Sequence, residues 1–213
     1  MSTPATPPDS YFRKGFGLGS EVRDDLAADY TGRLVDLLRA RDYTLTAGDV
    51  TVRLAKEFGF CYGVDRAVDY AYQTRTRFPD RRVFLTGEII HNPHVNEKLR
   101  AMSVRFLSDA GESLEALTPD DVVILPAFGV TMELLRRLEH VGCTLVDTTC
   151  GSVLNVWKNV RKYAEQGYTS IIHGKVWHEE TQATASQAVE RGGAYLVVFD
   201  DAETAVVCDY IRK

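Results

Sequence analysis

Short apolar runs alternating with amphipathic ones, from Val50 to the last residue, restrict the fold of this chain more than any other feature. The short runs are VTVRLA, RRVFLTGEI, VRFL, DVVILPAF, TLVDTT, TSIIHG and AYLVVFD. Between them lie VDRAVDYAYQTRTRF, VNEKLRAM, TMELLRRLEHVG, SVLNVWKNVRKYAEQG, EETQATASQAVERG and DAETAVVCDYIRK, whose apolar residues recur at three and four. Strand–helix alternation of this kind predicts βαβ units, parallel sheets and an α/β fold. Gly142, Gly167 and Gly192 stand where those helices would end, because glycine adopts the left-handed conformation of a helix C-cap without steric cost.

The chain has 213 residues, enough for two small α/β lobes, which we place at 50–149 and 150–213. Residues 1–49 read as an N-terminal extension, a disordered Pro/Thr/Ser lead followed by one amphipathic helix over RDDLAADYTGRLVDLLRARDY.

Charge narrows the function classes. Thirty acids and 25 bases, net charge −5, are spread along the chain without a basic block, which argues against a nucleic-acid or membrane-surface binder. No apolar run nears the roughly 20 residues needed to span a bilayer. MSTPATPPDS has neither the basic nor the apolar region of a secretory signal. With four cysteines, that favours a reducing, cytoplasmic setting over disulfides.

The chemistry-bearing side chains fall in one kind of place. Cys61 follows VTVRLA and opens a helix, His91 follows VFLTGEII, Pro126–Gly129 closes a strand, and Cys150 follows LVDTT and opens a helix. His178 and Glu180 come just after SIIHG. All are expected at the carboxyl ends of strands, the edge where open α/β sheets bind ligands. A thiol at a helix N-terminus faces unpaired N–H groups and the positive end of the dipole, a setting that favours the thiolate. Cys61 and Cys150 together therefore point to a shared metal or cluster. Cys143, at the start of a strand, and Cys208, in mid-helix, read as small core hydrophobes. His140 reads as a capping or surface residue, His94 as a solvent-facing helix start, and His173 as a strand end. HEETQ lacks the second histidine of a zinc-protease helix, and GFGLG precedes every strand, so neither carries a motif.

GFCYGVDRA, EIIHNPHVNEKL, VVILPAFGV, VDTTC and IIHGKVWHEETQATAS, in that order, closely resemble the LytB family of 4-hydroxy-3-methylbut-2-enyl diphosphate reductases. PAFG, HGKVWHEET and the YFRKGFG lead resemble its plant and cyanobacterial branch. The resemblance implies three α/β lobes around a [4Fe-4S] cluster held by one cysteine from each, with Cys61 and Cys150 as two of the three thiolates. It implies His91 and His178 as diphosphate contacts and Glu180, as a buried carboxyl, in the proton relay to the leaving hydroxyl. The implied reaction is reductive dehydroxylation of the allylic diphosphate to isopentenyl and dimethylallyl diphosphate, with electrons from ferredoxin or flavodoxin.

Two positions depart from the family pattern. Phe128 stands where many bacterial relatives carry a diphosphate-contacting histidine, and Gly151 stands where a proline usually opens the helix. The third lobe, its cysteine and its Ser/Thr/Asn residues are expected to be absent, since the sequence stops after VCDYIRK. A non-catalytic remnant serving as an interaction module, and a zinc hydrolase built on Cys61, Cys150 and His91 or His178, are the alternative readings.

Overall fold

The computed structural model describes residues 10–213. The nine-residue lead expected to be disordered lies outside the described residues.

The elements run β1 (Tyr11–Phe12), α1 (Arg23–Tyr30), α2 (Arg33–Ala40), β2 (Thr44–Ala47), β3 (Val50–Arg53), α3 (Tyr62–Arg77), β4 (Val83–Leu85), α4 (Pro93–Ala101) and β5 (Val104–Phe106). They continue, after a 3-10 turn at Leu114–Ala116, with β6 (Val122–Leu125), α5 (Met132–Val141), β7 (Thr144–Asp147), α6 (Gly151–Ala164), β8 (Ser170–His173), α7 (Glu179–Glu190), β9 (Tyr195–Val198) and α8 (Asp201–Ile211).

Five strands form one parallel sheet in the order β1-β7-β6-β4-β5. Alternation along each strand divides its side chains between two cores. Val83, Leu85, Val104, Phe106, Val122, Ile124 and Val146 meet Val68, Ala71 and Tyr72 of α3 and Leu99 of α4 on one face. Phe84, Val123, Leu125 and Leu145 meet Leu138 of α5 on the other. A sheet buried on both faces accounts for strands that read as continuous apolar runs such as VVIL. β8 and β9 form a second, two-stranded parallel sheet with α7 between them. The α/β architecture and its parallel sheets are as the alternation predicts. Gly142, Gly167 and Gly192 all adopt positive φ, at 79°, 81° and 72°, as C-caps require.

The N-terminal region differs from expectation in three ways. The single helix is two, because Thr31 and Gly32 are extended (φ −104° and −103°). Val50–Arg53 is no strand of the main sheet: it pairs antiparallel with Thr44–Ala47 as the second strand of a hairpin. Val50 and Val52 are both exposed, and a period-two pattern alone cannot tell such a hairpin from a half-buried strand. Finally, the extension joins the sheet. Tyr11 and Phe12 lie parallel to Leu145 and Val146, and the Leu145 N–H donates to the Ser10 carbonyl.

Cys143 is fully buried, its thiol aimed at the Leu138 carbonyl, and burial pushes it up to about 11, so it stays a neutral core group. Cys208 is not the core residue expected. α8 buries none of its residues, and Cys208 is half-exposed.

Candidate active site: two thiols and a histidine pair

Two helix N-termini carry the site's thiols. Cys61 is the N-cap of α3 and Cys150 the N-cap of α6, both with extended backbone and neither using its side chain to cap the helix. Cys61 is exposed and Cys150 half-buried. The two helix starts meet at Gly63, where an added β-carbon would lie 2.7 Å from the Cys150 Cβ and 3.2 Å from its Sγ. No side chain larger than hydrogen fits between α3 and Cys150 without displacing one of them. Cys61 reaches this place by a route the sequence did not suggest, because the segment before it leaves the β2–β3 hairpin instead of a sheet strand.

The segment before Cys150 is held on every side. The Asp147 carboxylate ends β7 and is 4 % exposed. Its Oδ1 accepts from the Thr149 amide (3.0 Å) and hydroxyl (2.5 Å), and its Oδ2 from the Tyr11 hydroxyl and Arg13 Nε, both at 2.9 Å. The Thr149 carbonyl accepts from Arg66 of α3 at 2.6 Å, and the Cys150 amide donates to the Ala127 carbonyl at 2.8 Å. Tyr11, Arg13, Arg66, Asp147 and Thr149 were not singled out in the sequence. They lie within YFRKGFG, GFCYGVDRA and VDTTC, where the resemblance drew on the motif and not on these side chains.

The histidines form a hydrogen-bonded pair. His91 lies in the loop between β4 and α4, and His178 is the N-cap of α7. Their Nε2 atoms are 3.0 Å apart. The Glu180 amide donates to His178 Nδ1 (3.2 Å), and His91 Nδ1 lies 2.9 Å from a Glu88 carboxylate oxygen. One tautomer set satisfies all three contacts: His178 carries its proton on Nε2 and donates to His91 Nε2, and His91 Nδ1–H donates to Glu88. Phe128 stacks on the His91 ring at 5.0 Å and 14°, and so takes the part of a flat shelf beneath the imidazole.

His91, His178 and Glu179 bring ligand-type atoms within 4.8 Å of one another. A metal at His178 Nε2 would need a lone pair there, forcing the proton onto Nδ1 against the Glu180 N–H. The orientation suits donation to an anion and opposes zinc, which weakens the zinc-hydrolase alternative. Glu180 itself is exposed, against the expectation of a buried carboxyl. His94 and His140 are exposed on helices as expected, and His173 ends β8 facing the Phe199 carbonyl at 3.2 Å.

Cys61 and Cys150 have the donor chemistry of iron–sulfur ligands. Two thiols, neither used to cap its helix, open α3 and α6, and the first turn of α3 meets Cys150 at Gly63. His91, Phe128, Cys150 and His178 all follow the carboxyl ends of parallel strands, the binding edge of this architecture.

Fold and site together define an α/β protein with a thiol and imidazole site assembled from strand–helix junctions. The chain belongs to the LytB family, whose family model matches residues 52–212. It is 50 % identical over 205 residues to a 4-hydroxy-3-methylbut-2-enyl diphosphate reductase of Thermosynechococcus vestitus, covering 95 % of this chain and 50 % of that protein. A reductase of the same name from Gloeobacter violaceus is 51 % identical over 208 residues, covering 95 % and 49 %. The chain thus spans about half the length of the curated relatives it matches.

Among solved structures it is similar to a (E)-4-hydroxy-3-methyl-but-2-enyl diphosphate reductase described as the terminal enzyme of the non-mevalonate pathway. The TM-score is 0.60 at 30 % identity, over 70 % of this chain and 51 % of the other. A Plasmodium falciparum reductase shares the fold, with TM-score 0.62 at 23 % identity over 70 % and 45 %.

Proposed function

We propose that this chain builds two-thirds of the cluster-ligand set and one wall of the diphosphate site of a 4-hydroxy-3-methylbut-2-enyl diphosphate reductase. The observation that carries this reading is the close approach of Cys150, N-cap of α6, to Gly63 in the first turn of the helix that Cys61 caps. Their thiolates would hold a [4Fe-4S] cluster. Such a cluster supplies electrons and Lewis acidity for cleaving an allylic C–O bond.

The chain's own groups have separate tasks. His178 presents an Nε2–H to a bound anion, and His91, whose Nε2 accepts that proton in the pair, lines the same place. The α7 N-terminus adds its dipole to the attraction for a diphosphate. Phe128 keeps His91 face-on and removes water from one side of it. Glu180, whose amide donates to His178 Nδ1, is in this reading the group that passes a proton toward the leaving hydroxyl. Two electrons and two protons then balance loss of the hydroxyl as water and formation of isopentenyl or dimethylallyl diphosphate. The electron donor in this reading is ferredoxin or flavodoxin and the setting cytoplasmic; no helix among the described residues is long and apolar enough to cross a membrane.

A non-catalytic reading has one observation in its favour. Of the four cysteines, Cys143 is buried at the start of β7 and Cys208 sits on α8, so only two serve the site. Anaerobic iron–sulfur reconstitution of the 213-residue chain, followed by iron content, visible absorbance and turnover with a chemical reductant, separates the two. A brown, iron-loaded protein that reduces the substrate, with loading lost in Cys61→Ser and Cys150→Ser, is the expected result. A chain that folds yet takes up no iron sinks the reductase reading and favours the non-catalytic one.

A further inference from the structure

Residues ahead of the span matched by the family model, 52–212, reach the same site. We infer that Tyr11 and Arg13 are positioning residues for Cys150, acting through Asp147 and Thr149. The inference rests on the reading of Cys150 as a cluster ligand, and its test does not require the cluster.

The argument starts from Asp147. A carboxylate this buried needs its lone pairs satisfied, and the two oxygens are used differently. Oδ1 accepts both the amide and hydroxyl of Thr149, the residue before Cys150. Oδ2 accepts from the Tyr11 hydroxyl in the edge strand and from Arg13 Nε just after it, and the Arg13 Nη2 also donates to the Tyr11 hydroxyl at 3.2 Å. The carboxylate is therefore a rigid link between strand β1 and the backbone immediately ahead of the thiol.

On the far side of Thr149 the Arg66 guanidinium holds the carbonyl. With amide, hydroxyl and carbonyl all fixed, and the Cys150 amide on Ala127, the direction in which the thiol leaves the chain is set. Burial, and then the Asp147 charge, push the Tyr11 phenol up to about 12, so it remains a donor at neutral pH. Arg13 supplies the positive charge that Asp147 would otherwise lack, since its pair distance is 2.9 Å with only the arginine side chain open to water.

A two-residue edge strand is too short for its ladder alone to explain this arrangement. Arg13 lies just beyond that ladder, and both polar side chains converge on one oxygen. Supports of this kind behind metal ligands commonly change metal affinity by about 10–100-fold.

The test uses the whole chain, cluster-free and reduced, in wild-type form and as Arg13→Gln, Arg13→Lys and Tyr11→Phe. Residue-resolved amide exchange is measured at Thr149, with Val123 in the sheet core as reference, alongside the ratio of iodoacetamide alkylation at Cys150 to that at Cys61. Loss of one net hydrogen bond, about 1 kcal/mol, corresponds to about fivefold faster exchange. We expect that change at Thr149 in Arg13→Gln and Tyr11→Phe with Val123 unmoved, a shifted alkylation ratio, and Arg13→Lys between wild type and Arg13→Gln. Exchange at Thr149 and an alkylation ratio both unchanged in folded Arg13→Gln and Tyr11→Phe overturn the inference.

Should those variants fail to fold, the wild-type protein decides. A Thr149 amide protected like Val123 supports the clamp, and one exchanging as fast as Gly59 in the open loop overturns it. A protected Thr149 in a chain that takes up no iron would leave the positioning intact and count against the cluster reading alone.

Discussion

His91 and His178, 87 residues apart in sequence, face each other Nε2 to Nε2 across 3.0 Å. The pair joins the loop after β4 to the first turn of α7, and so ties the larger sheet to the smaller one at the point where an anion would sit. Because each ring is also anchored at its Nδ1, one to Glu88 and the other to the Glu180 amide, both imidazoles are oriented in advance.

Removing one donor from that pair should weaken anion binding directly. His178→Ala is expected to lower affinity for inorganic diphosphate by about 10–100-fold, the equivalent of a charge-assisted hydrogen bond of about 1.5–3 kcal/mol. Calorimetric titration of wild type and variant checks this, and equal affinities would remove His178 from the binding site.

Gly63→Ala probes the meeting of the two thiol-bearing helices. The new methyl would stand 2.7 Å from the Cys150 Cβ, inside van der Waals contact, so α3 or Cys150 must move. Overpacking of this sort costs about 1–3 kcal/mol. We expect a lower thermal midpoint together with reduced iron uptake on reconstitution. A variant as stable as wild type, with full iron loading, would mean that the helix starts are free to separate.

Thr148 tests the buried support one step earlier in the chain. Its hydroxyl donates to the Leu125 carbonyl at 2.6 Å, and the residue has no solvent exposure. Thr148→Val keeps the shape and loses the bond, with an expected cost of about 1 kcal/mol in urea unfolding. Because the change falls on the link between β6 and the segment leading to Cys150, its effect on cysteine alkylation should exceed its effect on stability.

Acid stability should depend on Asp121. Burial alone would push this carboxyl up, but the Arg82 guanidinium and the amide and hydroxyl of Thr118 outweigh it and hold the group below the ordinary carboxylate range. A folded-state value lower than the unfolded one contributes stability that is present above about pH 3.9 and is lost as pH falls through the folded value. Asp121→Asn should therefore lower stability at neutral pH and flatten its fall below pH 4, roughly the unfolded carboxylate value. Chemical unfolding at a series of pH values would show both, and a parallel displacement of the whole curve would contradict the linkage.

The legible part of this protein was local. A run such as VVIL, apolar on both faces and bounded by turn residues, reads as a strand of a covered parallel sheet, and glycines at 142, 167 and 192 mark helix ends through a property of glycine itself. Cys61 and Cys150 were visible as helix-opening thiols because an N-cap position is read from the residues around it. The hairpin at Val50–Arg53 was not legible, since alternation says which residues share a face but not which strand lies alongside.

What the sequence by itself determined is therefore the alternation of strands and helices from α3 onward, the chemistry available at their ends, and the family to which five linked motifs belong. Tertiary structure alone decided which of those ends meet. It brought Tyr11 and Arg13 to Asp147 across 136 and 134 residues, and set His91 against His178. A hydrogen bond to a buried carboxylate leaves no periodic signal in the chain. It depends on strand order and register, and these follow from burying both faces of the sheet at once rather than from any one segment.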